Sequence, residues 1–182
     1  EIRGDKEGTL HVQFPNSNLT EQMFKKWIKI VSTFTNGDAK IAVKVPPYKK
    51  SLEIACKHRG NISLNTTGIA DAGTALFALT HDIEYASIIP GRMEEVKIDA
   101  KSHVGYVMNS IKGNKKLITG SMRTLKGLKW CVEYGTLPTI GTRVLDLINE
   151  ENCSMLLDWN QVEVPKADYC PLSDKRNLNL SE

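Results

Sequence analysis

Ten lysines are the residues of this sequence whose spacing suggests a shared task. Lys25, Lys26 and Lys29 fall on one side of a helical repeat, and Lys40 and Lys44 on one side of a two-residue repeat. Lys49 and Lys50 follow directly, and Lys112, Lys115 and Lys116 crowd a Gly113–Asn114 turn. Ammonium groups gathered on one face attract phosphate, whether in an RNA backbone or in anionic lipid headgroups, where each contributes only about 1 kcal/mol. If the faces are coplanar, these residues form an anion-binding platform. Tyr48, next to Lys49 and Lys50, is the aromatic that a nucleic-acid reading needs for stacking.

Other chemistry is thinly represented. His81 and Asp82 could make an acid and base pair, but neighbours in sequence point apart on any regular element, so a surface loop is expected. His11, His58 and His103 are scattered. Cys56, Cys131, Cys153 and Cys170 have no metal-binding spacing and read as buried thiols. Neither a Walker or dinucleotide-binding glycine loop nor GxSxG or HExxH occurs. The expectation is therefore no metal, no cofactor, no identified small-molecule substrate and no enzyme.

The elements that must position these residues begin with alternation at Leu10, Val12 and Phe14, a strand. From Asn18 to Gly37, Leu19, Met23, Phe24, Trp27, Ile28, Val31 and Phe34 recur at helical spacing, with Asn18 as cap and Glu21 three residues on, a relative of the capping box that usually carries Ser or Thr. Trp27 and Trp130 sit on apolar faces and are expected in the core. Lys40–Val45 alternates as a strand with one apolar and one basic face, stopped by Pro46 and Pro47. Leu52, Ile54 and Cys56, then Ile62 and Leu64, read as a hairpin, with a helix over Ser51–Lys57 as the alternative. A weak helical stripe covers Thr66–Asp82, and Tyr85–Ile89 and Val96–Ile98 read as strands. Val104–Met108 pairs with Leu117–Thr119 as a hairpin, and Leu128–Tyr134 is the strongest strand pattern. Pro138 opens a late helix through Ile148, and residues 155–164 close the fold as strand or hairpin.

The chain has 182 residues, 41% hydrophobic and 25% charged, which suits one core. The expected organisation is a flexible arm at 1–8, a single domain at 9–164 and a polar tail at 165–182. The expected fold class is α+β, a mainly antiparallel sheet with an amphipathic helix packed on it and a second helix near the C-terminus. The net charge of +3 is distributed in blocks, with basic stretches at 22–60 and 101–135 on either side of an acidic one at 61–100. Blocks of alternating sign favour anionic partners or head-to-tail self-association. No apolar run reaches the roughly 20 residues of a membrane span. Sequons at Asn18, Asn61, Asn65, Asn152 and Asn179 leave a secreted glycoprotein open, although Asn18 reads better as a cap and Asn61 as a turn residue.

The order of elements, a strand at Leu10–Phe14, a capped helix at Asn18–Phe34, a basic strand at Lys40–Val45, a β-rich middle and a late helix and strand, resembles the core of a rhabdovirus matrix protein. The resemblance rests on no diagnostic motif. Pro46, Pro47 and Tyr48 approach a PPxY motif without satisfying it, and the Lys-rich arm of that family is not in this sequence. It implies a noncatalytic, self-associating protein that condenses a nucleocapsid and links it to an anionic membrane, inside a virion or peripheral to a membrane in the cytoplasm. The alternative is an RNA-binding or nucleoprotein-like module, and after it an enzyme of unrecognised type.

Overall fold

Alternating apolar and polar residues form strand β1 (Thr9–Gln13) and strand β2 (Lys40–Val45), and the helix α1 (Glu21–Ser32) fills the connection between them. The two strands pair parallel, Leu10 opposite Ile41 and Val12 opposite Val43. A parallel pair cannot be closed by a tight turn and needs a crossover of a dozen or more residues, which α1 supplies. The computed structural model describes residues 8–15, 18–34, 40–122 and 125–139. Over that range the unit repeats: α2 (Lys49–His58), β3 (Ser63–Ile69), α3 (Ala72–Thr80), β4 (Tyr85–Ile88), α4 (Pro90–Glu95), α5 (Ala100–Ser110), β5 (Lys116–Thr119), α6 (Leu125–Glu133) and β6 (Leu137–Pro138). All six strands are parallel and lie in chain order, β1 to β6. The architecture is α/β, a half-barrel of the (β/α) type with helices on its outer face.

Apolar burial lies between the sheet's outer face and those helices. Val43, Val45 and Leu64 pack with Phe24, Ile28 and Val31 of α1 and Leu52 and Ala55 of α2. Ile69, Ala86, Ile88 and Leu117 pack with α3, α5 and α6 through Ala75, Val104, Val107 and Trp130. Strand β3 reaches both clusters because its register shifts between Thr67 and Ile69, around Gly68 at φ 83°. A side chain at Gly68 would be strained there, and without the bulge Ile69 would face inward with Asn65 and Thr67. Trp27 is partly buried against Phe14, their rings edge-on with centroids 6.4 Å apart.

The antiparallel α+β expectation is overturned by this topology. The proposed hairpin at residues 52–64 is instead helix α2 followed by β3, in line with the alternative helical reading of that segment. Val104, Tyr106 and Met108 lie on helix α5, and Val96 and Ile98 follow α4 without forming a strand. Leu128–Tyr134 is helical: Leu128, Trp130 and Cys131 are buried, whereas Val132 is 58% exposed. Pro138 closes β6 rather than opening a helix. Thr20, not Asn18, caps α1, its Oγ1 accepting from Met23 N at 3.3 Å. Residues 140–164, assigned a helix and a closing strand, lie outside the described range, as do most of the arm at 1–8 and the tail at 165–182. Among the described residues no helix is long and apolar enough to cross a membrane.

Phe24 is fully buried and Phe34, ten positions on, is 73% exposed. Phe24→Ala is expected to cost about 3–5 kcal/mol by urea denaturation, and Phe34→Ala less than about 0.5 kcal/mol. Equal costs would mean that α1 packs through a different face.

Candidate functional site

The side chains that alternate with the outer core line the concave face, and they are polar. Val12, Val43 and Leu64 pack outward, so His11, Gln13, Lys44, Asn65 and Thr67 point inward. On β4, Ala86 and Ile88 pack outward and Tyr85 and Ser87 point inward. In register, Gln13, Lys44, Asn65, Tyr85 and Lys116 form one row. That row starts at the C-terminal end of β1 and finishes at the first residue of β5, the stagger expected of strands tilted in a barrel.

Curvature is visible in contacts across the row. Thr9 Oγ1 and Tyr85 Oη are 3.2 Å apart, although β1 and β4 would be about 14 Å apart on a flat sheet. Ser87 Oγ donates to Asn65 Oδ1 at 2.8 Å, and Asn65 Nδ2 lies 3.1 Å from His11 Nδ1. With the Asn65 oxygen taken by the serine, its amide must donate to His11, so Nδ1 is the acceptor and the neutral imidazole carries its proton on Nε2. This bond spans β2, where the register partner of His11 is Ala42, fully buried and too small to obstruct it. The Tyr85 ring meets the imidazole edge-on at 4.8 Å. Burial holds the His11 pKa below its ordinary 6.5, and the Lys44 ammonium lowers it further.

Lys44 is half-buried on this face, next to last in β2, and no carboxylate pairs with it among the described residues. Its register partners Gln13 and Asn65 carry carboxamides. A lysine is seldom drawn below the surface without a partner, and in (β/α) barrels chemistry concentrates at the C-terminal ends of strands.

The structure does not bring the ten lysines onto one platform. Lys25, Lys26 and Lys29 are exposed on the outer helix α1, Lys25 in an ion pair with Glu21 at 2.7 Å. Lys40 and Lys116 begin their strands at the opposite end of the sheet from Lys49 and Lys50, which start α2. Lys112 is exposed after α5. Lys115 is committed to the fold, its Nζ donating to the carbonyls of His81 at 3.0 Å and Ile83 at 2.7 Å. Lys44 shares the inner face with none of the α1 lysines. His81 and Asp82 have separate partners, Phe77 O and Arg59. Asn65, expected as a possible sequon, is fully buried. Burial pushes the Cys131 thiol up to about 11 and raises that of Cys56, so neither is an activated nucleophile. No group of His, Cys, Asp and Glu suited to a metal occurs among the described residues. Of this lining, Lys44 was expected as part of an outward basic face, and His11, Asn65 and Ser87 were assigned to no site. The lining's only trace in the sequence was polar residues alternating within apolar strands.

His11 should leave a signature in stability. Its folded-state pKa lies below the unfolded value, so as pH falls through 6.5 the unfolded chain takes up the proton first. The favourable difference present above pH 6.5 is therefore lost toward the folded pKa. His11→Gln is expected to flatten the decline of urea midpoint between about pH 7 and 5; a decline of unchanged steepness in the variant would place its origin elsewhere.

No protein-family model matches the chain, and no curated protein matches it. Among solved structures, thiamine phosphate pyrophosphorylase from Pyrococcus furiosus is similar, with a TM-score of 0.50, 11% identity and coverage of 76% of each chain. The resemblance to a rhabdovirus matrix protein is overturned by this likeness together with the parallel topology. At that identity the likeness concerns the fold alone, a parallel (β/α) half-barrel.

Proposed function

We propose that the chain is an enzyme, or the larger part of one, that acts on a small aldehyde or ketone through the amine of Lys44. The observation that carries this reading is a half-buried lysine, without a carboxylate partner among the described residues, near the C-terminal end of an interior strand. A primary amine in such a place has one distinctive reaction, condensation with a carbonyl group. The deprotonated nitrogen bonds to the carbonyl carbon, the oxygen takes up protons and leaves as water, and a protonated imine remains. That imine withdraws electrons from the neighbouring carbon, so a C–H or C–C bond there can be broken or made.

The surrounding side chains suit this chemistry because they position without competing. Gln13 and Asn65 flank the amine with hydrogen-bonding groups rather than charges. His11, neutral near pH 7 and fixed in its tautomer, adds no second cation there. The exchange of protons during imine formation has hydroxyls within the same lining, those of Ser87 and Thr67. Self-association and binding to RNA or anionic headgroups stand beside this reading as proposals, but the scattering of the lysines favours the enzyme.

Treatment with glycolaldehyde, glyoxylate or pyruvate followed by borohydride is expected to leave a reduced adduct on Lys44 in preference to the exposed Lys26 and Lys29. Lys44→Arg, which keeps the charge but cannot lose its proton, should abolish that adduct and reduce any turnover at least about a thousandfold. Labelling spread over surface lysines, with Lys44 untouched, would sink the proposal.

A further inference from the structure

The half-barrel leaves an apolar face open beside β1. Among the described residues that strand pairs with β2 alone, and Leu10, on its outer face with Val12, is 59% exposed. Helix α1 crosses the same outer face and carries two apolar stripes. Phe24, Ile28 and Val31 are buried against the sheet. At about 100° of turn per residue, Met23, Trp27 and Ile30 fall within about 60° of one another, roughly a quarter-turn from the buried stripe. Trp27 is half-buried against Phe14, whereas Met23 is 38% and Ile30 44% exposed. Glu21, which meets His58 of α2 at 2.9 Å, lies round the other side of the buried stripe. The second stripe therefore looks away from α2, towards the free side of β1. Because α1 runs back from the end of β1 to the start of β2, Ile30 in its last turn and Leu10 near the start of β1 lie at the same end of the sheet.

Size and charge decide what covers this face. A second copy is a poor fit, because these four side chains offer at most a few hundred Å², against roughly 800 Å² per partner in stable complexes. Lys26 borders the stripe on its solvent side, and neither Lys26 nor Lys29 has an acidic partner among the described residues. Two copies face to face would oppose like charges. The chain's own continuation fits better. Strand β6 ends at Pro138 on the opposite edge of the sheet, and residues 140–182 follow the described range. Within 140–164, Ile140, Val144, Leu147 and Ile148 recur at helical spacing, and Met155, Leu157 and Trp159 alternate. The same stretch holds five carboxylates, Asp146, Glu150, Glu151, Asp158 and Glu163, against the single cation Arg143. An acidic, apolar segment complements an apolar stripe edged by lysines without acidic partners. Reach is no obstacle. Six strands laid flat would put β1 about 24 Å from β6, and ten helical residues alone span about 15 Å.

We propose that residues 140–164 cover this face within the same molecule, their apolar side chains against Leu10, Met23 and Ile30 and their carboxylates beside Lys26 and Lys29. The segment thereby shields the edge that β1 otherwise presents to a strand of another chain. The face lies on the outside of the sheet, away from Lys44, so neither proposal needs the other.

The test is carbodiimide cross-linking of the full chain at low concentration, which joins a lysine amine to a carboxylate in contact with it. The expected product is a cross-linked monomer whose peptides connect Lys26 or Lys29 to one of the five carboxylates of 140–164. Trypsin supplies a second measure, since Arg143 is its one cleavage site in that stretch. Met23→Gln combined with Ile30→Gln should lower the cross-link yield and speed cleavage after Arg143, each about tenfold, with circular dichroism unchanged. Tyr106→Gln, which removes an exposed side chain from α5, should behave like the wild type. Cross-links confined to dimers would assign the face to a second copy and overturn the proposal. So would a monomer in which Lys26 and Lys29 couple to nothing in 140–164, or cleavage after Arg143 as fast in the wild type as in the double variant.

Discussion

The carboxamide of Asn65 is the constraint on which the interior depends. It is fully buried on a central strand, and an amide in that position has to satisfy donor and acceptor at once. Ser87 on β4 meets its oxygen and His11 on β1 meets its nitrogen. One side chain therefore ties three strands whose backbones would otherwise diverge, and it does so only if the sheet curls. The curl in turn requires Ala42 to stay small, since a larger residue on β2 would stand between His11 and Asn65. The polar lining is thus more than a tolerated exception to apolar packing, because its hydrogen bonds help to select the curvature that the outer helices then cover. Lys44 inherits its position from this arrangement as the next inward residue of β2.

The two ends of the sheet divide their labour. At the N-terminal end, Arg59 Nη1 reaches both oxygens of Glu84 at 2.7 and 2.8 Å, and Nη2 reaches Asp82 at 2.8 Å. Glu84 also accepts from Leu64 N at 2.9 Å. These bonds, with Lys115 on two carbonyls, join the end of α2 to the starts of β3, β4 and β5. A guanidinium only 15% exposed and held on two carboxylates is a rigid joint rather than a reactive group. At the C-terminal end, Asp71 is likewise committed, its carboxylate taking the Thr74 amide and hydroxyl at 2.7 Å each. These partly buried charges are engaged, and the half-buried amine of Lys44 stands out against them.

Much of the chain's local structure was legible, yet its topology was not. Strands β1, β2, β4 and β5 and helix α1 lie where alternation and a helical stripe put them, although burial does not simply alternate along the strands and Leu10 of β1 is 59% exposed. The failures that hid the topology share one cause, which is that short helices can mimic strands; the helical readings begun at Thr66 and Pro138 failed the other way, on strands β3 and β6. On α6, Val132 is 58% exposed, and on α5, Tyr106 is 63% exposed, so each extends a two-residue alternation whose other members are buried or partly buried for a helical reason. Reading α2, α5 and α6 as strands turned crossovers into hairpins, and with the crossovers gone the parallel sheet disappeared. The site was hidden by the same step. The polar faces of β1 to β4 look solvated in the sequence, and only the curl of the parallel half-barrel makes them a concave lining. Lys44 consequently read as one more member of a basic surface.

The short link from β2 to α2 limits how far the chain beyond Lys44 can move. Pro46 and Pro47 each lock φ near −65° and lack an N–H, and each also restricts the residue before it to extended geometry. Val45 and Pro46 are therefore held extended beyond Lys44, and Tyr48, at φ −92° and ψ 136°, hands the chain to α2 still extended. A turn so restricted fixes where α2 begins relative to Lys44. Lys44 and the start of α2 are separated by a rigid spacer rather than a hinge, so the backbone that carries the amine has little freedom to shift. On this argument the Lys44 amine is secured from two directions, by its parallel neighbours in β1 and β3 and by the four residues, Val45 to Tyr48, that separate it from the first residue of α2.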